Sequence, residues 1–132
     1  MSRVFVDTSA IFGLLVPTDS THRRARRVFD LLQARDAPLV TTSYVLVETY
    51  ALLTRRMGRD SVLRFREDFA PLLETTWIDE RVHEAGLDLL LRRRWKGLSL
   101  VDAVSFVVMK EQRLDEVFAF DQHFEREGLR TL

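Results

Sequence analysis

The sequence predicts an α/β fold built on a mostly parallel sheet, and three observations lead there. Short apolar runs alternate with segments of helical period along the chain. No internal repeat, low-complexity tract or linker interrupts that alternation. The 132 residues, 46% of them hydrophobic, suit one domain, 1–132, with one substantial core. Parallel strands separated by helices require right-handed crossovers, and ligands of such sheets collect beyond the carboxyl ends of the strands, where the winding reverses.

Residues 3–6 (RVFV) read as the first strand, and Asp7 directly follows, before a helix beginning near Ser9. Ala25, Val28, Phe29 and Leu32 recur at i, i+3, i+4 and i+7, the mark of an amphipathic surface helix. A strand at 39–42 leads into 43–54 (SYVLVETYALLT), whose apolar residues fall on all faces and predict a central helix. Val62, Phe65, Phe69, Leu72 and Leu73 form a second amphipathic stripe, followed by a strand at 75–78 and by Asp79, an ordinary N-cap for the helix from Glu80. The segment 99–109 is again apolar all round and predicts a second core helix. A strand at 117–120, a short helix after Asp121 and a last strand at 129–132 complete a sheet of four or five strands.

Composition narrows the chemistry. The longest apolar runs fall short of the roughly 20 residues that span a bilayer, and residues 3–6 meet Asp7 at once, so the expectation is a soluble, cytoplasmic protein without a membrane span. Cysteine is absent, which removes disulfides, thiolate catalysis and cysteine zinc sites together; a metal must be held mainly by oxygen. Lys+Arg and Asp+Glu are equal at 20 each, so no global positive charge advertises nucleic-acid binding.

Four acids stand where acids are costly. Asp7 and Asp121 follow strands, and each also reads as a helix cap. Asp102 lies inside LSLVDAVSFVVM, where Ser99-Leu-Val-Asp102 fits a capping box. Glu48 is the one charge from Ser43 through Thr54, and no cap explains it. Were the four to converge, repulsion and desolvation would raise their pKa values and oppose folding with all of them charged. A divalent cation removes that conflict, and carboxylate and water oxygens without thiolates suit Mg²⁺ or Mn²⁺.

VDTSA with Asp7, the helix bearing Glu48, LSLVDAVS with Asp102 and FAFDQHF with Asp121 together resemble the PIN domain, notably the ribonuclease toxins of prokaryotic toxin–antitoxin pairs. The resemblance covers essentially the whole chain. It implies a three-layer α/β/α sandwich and an acidic pocket of Asp7, Glu48, Asp102 and Asp121 that binds Mg²⁺ or Mn²⁺, with Ser9 at an assisting hydroxyl position. It also implies a homodimer and a cognate antitoxin protein, which would silence the pocket by delivering a cation such as an arginine. The substrate would be RNA, cut by metal-activated water without a covalent intermediate to leave 5′-phosphate and 3′-hydroxyl ends. A non-catalytic PIN-like module that binds RNA or a protein, and an orphan housekeeping nuclease, are the alternatives. A phosphotransferase of the haloacid dehalogenase type fits poorly, because it wants a second Asp where this chain has Ser9.

Three arginine clusters are candidates for holding RNA: 23–27, 55–59, and Arg92, Arg93 and Arg94 with Trp95 and Lys96. The first occupies the face opposite an apolar stripe and reads as a solvated surface. The third precedes the turn that delivers Asp102 and is the one expected to present cations to phosphates at the pocket rim. None of the three histidines is assigned a catalytic role; His123 follows Asp121 by two residues without a metal-ligand spacing of the H-x₃₋₅-H kind.

Overall fold

The computed structural model describes residues 2–132. The elements run β1 (Val4–Val6), α1 (Thr8–Leu15), α2 (His22–Ala34), β2 (Leu39–Thr42), α3 (Ser43–Arg56) and α4 (Arg59–Arg64), then β3 (Leu73–Thr76), α5 (Glu80–Arg93), α6 (Leu100–Glu111), β4 (Glu116–Phe118), α7 (Gln122–Arg126) and β5 (Arg130–Thr131). The sheet has five strands in the order β3-β2-β1-β4-β5, and every pairing is parallel. The chain therefore winds one way through β1, β2 and β3 and the other way through β4 and β5. Right-handed crossovers then place the connecting helices on both faces, and the winding reverses between β1 and β4. No helix among the described residues is long and apolar enough to cross a membrane.

The strands are short and buried because helices cover both faces. Val4, Phe5, Val6, Val117 and Phe118 are all fully buried, as a central parallel pair requires. Hydroxyls tie the ends of the strands together: Thr41 Oγ1 donates to the Val6 carbonyl at 2.9 Å, and Thr42 Oγ1 accepts from the Val45 N–H to cap α3. The carboxyl ends of β1 and β2 are thus held side by side where α1 and α3 begin.

Several boundaries differ from the sequence-based expectation. The third strand lies at Leu73–Thr76 rather than 75–78, because it pairs in register with all of β2 and so starts earlier. The 62–73 stripe is no single α-helix: α4 passes into a π-helical turn at Phe65–Phe69 and a 3₁₀ turn at Ala70–Leu72, where Pro71 lacks the N–H that an α-helical turn would use. Phe65 and Phe69 are buried in the chain's own core, whereas Leu72 is 46% exposed. Nor is α3 buried all round, since Val47 is 66% exposed; α6 is the helix enclosed on most sides.

α5 and α6 pack closely at Gly86. An ideal Cβ there would lie 2.4 Å from Val104 Cγ2 and 3.2 Å from the Val104 backbone. Gly86→Ala is expected to push the helices apart and lower stability by about 1–3 kcal/mol, measured as a drop in the denaturant midpoint. An unchanged midpoint would mean that the fully buried Val104 side chain finds another rotamer without strain.

Candidate metal centre

Asp7 ends β1 and N-caps α1. Its Oδ2 accepts from the Ser9 N–H at 3.1 Å and from the Ser9 hydroxyl at 2.7 Å. Ser9 Oγ in turn accepts from the Phe120 N–H at 2.9 Å, so one hydroxyl links the segments leaving β1 and β4. Oδ1 is buried without a hydrogen-bond partner. Burial pushes this carboxyl up to about 7, with Asp102 and Glu48 adding repulsion and the two Ser9 bonds opposing it.

Asp102 sits in the first turn of α6 in a complete capping box: Ser99 Oγ accepts from the Asp102 N–H, and Asp102 Oδ2 accepts from the Ser99 N–H. Burial, then the neighbouring charges of Asp121 and Glu48, raise its carboxyl to about 6 against the pull of the Ser99 bonds. Asp121 N-caps α7 through the His123 N–H at 2.9 Å. Glu48 is half-buried on α3, beside Thr49, whose hydroxyl meets that of Thr8 at 3.2 Å and docks α3 against α1.

Asp7, Ser9, Glu48, Asp102 and Asp121 all line one cleft of about 510 Å³, together with Thr8, Arg55, Gly97 and Ser99. It opens beyond the carboxyl ends of β1 and β4, at the reversal of winding. Capping and cleft-lining coexist in the three aspartates. A carboxylate oxygen that caps a helix keeps lone-pair capacity for a cation, and at Asp7 the cap uses Oδ2 while Oδ1 is buried with no hydrogen-bond partner. Two raised carboxyls, an orphaned oxygen and an all-oxygen acidic set fit a divalent cation, which would supply the missing partner and reverse the repulsion.

The basic residues divide differently from the expectation. Arg93 forms a two-pronged pair with Glu127 at 3.0 and 3.1 Å, and Arg92 lies with it in a separate groove that shares no residue with the acidic cleft. Arg94 terminates α5 with a left-handed φ of 55°. Lys96 lines a second depression that shares Asp121 with the cleft. Arg55, at the end of α3, lines the cleft itself. Of the three, Arg93 is held by Glu127, and Arg92 and Arg93 share a groove outside the acidic cleft.

His22 Nδ1 donates to the Gly13 carbonyl at 2.8 Å. His83 pairs with the Tyr44 hydroxyl. Trp95 packs on the core and stacks on the His123 ring. His123, given no role from sequence, reaches the acids: Nδ1 lies 2.8 Å from Asp121 Oδ1 and 3.7 Å from Asp102 Oδ2. The only local signal for it was the two-residue step from Asp121 at a helix start.

Comparison with known proteins places the fold. The family model described as PIN domain matches residues 4–128. The 23S rRNA-specific endonuclease VapC20 of Mycobacterium tuberculosis is 33% identical over 127 residues, covering 95% of this chain and 94% of its own. The crystal structure of M. tuberculosis VapC20, described as a sarcin–ricin loop cleaving toxin, superposes with a TM-score of 0.84 at 30% identity, covering 96% of this chain and 95% of that one. The DNA-bound VapBC structure from Salmonella typhimurium shares the fold with a TM-score of 0.69 at 17% identity, covering 100% of this chain and 98% of that one.

Proposed function

The chain belongs to the PIN domain family, and on that premise we propose that it is a Mg²⁺- or Mn²⁺-dependent endoribonuclease, the toxin of a toxin–antitoxin pair. The observation that carries this reading is the convergence of Asp7, Glu48, Asp102 and Asp121 on one cleft, with Asp7 Oδ1 buried and unpartnered. The similarity to a 23S rRNA-specific endonuclease supports ribosomal RNA as the substrate class.

In this reading Asp7, Glu48, Asp102 and Asp121 hold the metal. The Ser9 hydroxyl fixes the Asp7 carboxylate by donating to Oδ2, leaving Oδ1 free for coordination. A divalent ion bound there supplies an activated water and charge neutralisation at the leaving oxygen. Arg55 at the cleft and Lys96 beside it are the cations placed to hold RNA phosphates, with Arg92, Arg93 and Arg94 as further candidates. The cognate antitoxin acts on the same cleft, where a donated arginine would offset the repulsion that the metal otherwise offsets. A cytoplasmic homodimer completes the reading.

The test is cleavage of purified 23S rRNA and of intact ribosomes with Mn²⁺ or Mg²⁺, mapped by primer extension. Discrete cuts that vanish with EDTA and in Asp102→Asn are expected. A wild-type protein that binds Mn²⁺ and leaves every RNA intact would favour a non-catalytic binding module.

A further inference from the structure

The His123 ring is held from two sides. Its Nε2 lies 3.1 Å from the Lys96 carbonyl, and because a carbonyl only accepts, Nε2 carries the proton of this bond. Its face stacks on Trp95 with centroids 6.2 Å apart and an interplanar angle of 14°. Trp95 is itself braced by the edge-on ring of Phe106 and by Arg126, whose guanidinium carbon lies 4.4 Å from the indole centroid. In the neutral ring this fixes the tautomer with its lone pair on Nδ1, on the side of the acids.

Nδ1 is buried, has no hydrogen-bond partner, and lies close to two carboxylate oxygens. At 2.8 Å from Asp121 Oδ1 it is near enough for a hydrogen bond but too bent for one. An unprotonated nitrogen and a carboxylate oxygen at that distance repel each other unless a proton or a metal cation lies between them. Two donors each about 2.1 Å from one octahedral ion are about 3.0 Å apart when adjacent and about 4.2 Å apart when opposite. The 2.8 Å separation is close to the adjacent value and the 3.7 Å separation falls between the two, and the ligand atoms of Asp102, Asp121 and His123 all lie within 4.8 Å of one another. Adjacent coordination also places the oxygen off the nitrogen's lone-pair axis, which accounts for the bent geometry.

We propose that His123 is a nitrogen ligand of the metal centre, binding through Nδ1 beside Asp102 and Asp121, with the Lys96 carbonyl and the Trp95 face holding its ring. A ligating imidazole commonly donates its other N–H to a backbone carbonyl in this way. The nitrogen has a consequence for the choice of metal. Mg²⁺ favours oxygen throughout, whereas affinities of mixed nitrogen and oxygen sites rise from Mn²⁺ along the first transition row, so His123 tilts the site toward Mn²⁺ and Co²⁺ over Mg²⁺.

This inference rests on the cleft binding a divalent cation, and the experiment separates the two claims. Mn²⁺ is titrated into the purified full chain and followed by electron paramagnetic resonance, with electron spin-echo modulation used to detect a directly bound imidazole ¹⁴N. Mg²⁺ competition is run in parallel. The expected result is bound Mn²⁺ with strong ¹⁴N modulation in the wild type. In His123→Gln the modulation is lost and Mn²⁺ affinity falls about tenfold, while Mg²⁺ affinity changes less. Bound Mn²⁺ without ¹⁴N modulation in the wild type overturns the His123 assignment and leaves the acidic site standing. No Mn²⁺ binding at all overturns both. The wild-type spectrum decides the assignment even if His123→Gln folds poorly.

Discussion

Asp7→Asn is expected to lower RNA cleavage by about three orders of magnitude while leaving the fold unchanged. Asn keeps the shape of the side chain and retains an oxygen for the Ser9 N–H, so α1 remains capped. What it loses is the negative charge beside the orphaned Oδ1 position, where a cation would be held. A metal contributes several kcal/mol to a hydrolytic transition state, and about 1.4 kcal/mol corresponds to tenfold in rate. The check is a single-turnover cleavage rate at saturating Mn²⁺ alongside a far-ultraviolet circular dichroism spectrum. Normal cleavage by a folded Asp7→Asn protein would rule out Asp7 as a metal-holding residue.

The second large effect appears in the metal-free protein as a dependence of stability on pH. Folding raises the Asp7 carboxyl from the usual 3.8 to about 7 and the Asp102 carboxyl from 3.8 to about 6. Between about pH 4 and 7 the folded state therefore binds more protons than the unfolded state, and stability falls as pH rises through that window. Asp7→Asn should remove much of the fall. At pH 8 it is expected to be more stable than the wild type by about 2–4 kcal/mol, given about 1.4 kcal/mol per pKa unit, and the difference should disappear below pH 4, where the wild-type carboxyl is neutral in both states. Metal offsets most of that difference, because an ion bound only by the folded wild type at a hundred times its Kd adds about 2.7 kcal/mol, roughly 10 °C in melting temperature for a chain of this size. Denaturant unfolding at pH 4, 6 and 8, with EDTA or Mn²⁺, measures all of this. A wild type as stable at pH 8 as at pH 4 without metal would mean that the carboxylates do not oppose folding.

Both expectations arise from features that were written locally in the chain. Alternation of apolar runs with helical periods determined the α/β class, since burial on one or both faces dictates those periods whatever the neighbours. The capping box at Ser99 and Asp102, and the caps at Asp7, Asp79 and Asp121, were equally legible, because each is closed by a hydrogen bond reaching two or three residues along the chain. Glu48 stood out for the opposite reason, as a charge in a helix with no local bond to explain it.

Local patterns fell short wherever distant segments had to meet. The 62–73 stripe had the right period for an α-helix, yet the need to seat both Phe65 and Phe69 in the core, with Pro71 following, settled it as π and 3₁₀ turns. Adjacency of Arg92, Arg93 and Arg94 in sequence did not say which of them a distant Glu127 would claim. Arg55 and His123 were ambiguous in sequence for the same reason.

The order β3-β2-β1-β4-β5 puts the ends of β1 and β4 together and starts α1 and α7 beside them. It also lets α3 and α6 meet across the gap where the winding reverses. By itself the sequence determined the helix caps, the approximate positions of the strands and the most enclosed helix, because those depend on bonds and periods a few residues long. Only the tertiary structure decided that Asp7, Glu48, Asp102 and Asp121 share one cleft and that a histidine nitrogen faces two of them. Convergence of side chains as much as 114 positions apart, as Asp7 and Asp121 are, is fixed by strand order and crossover handedness, which no local run of residues contains.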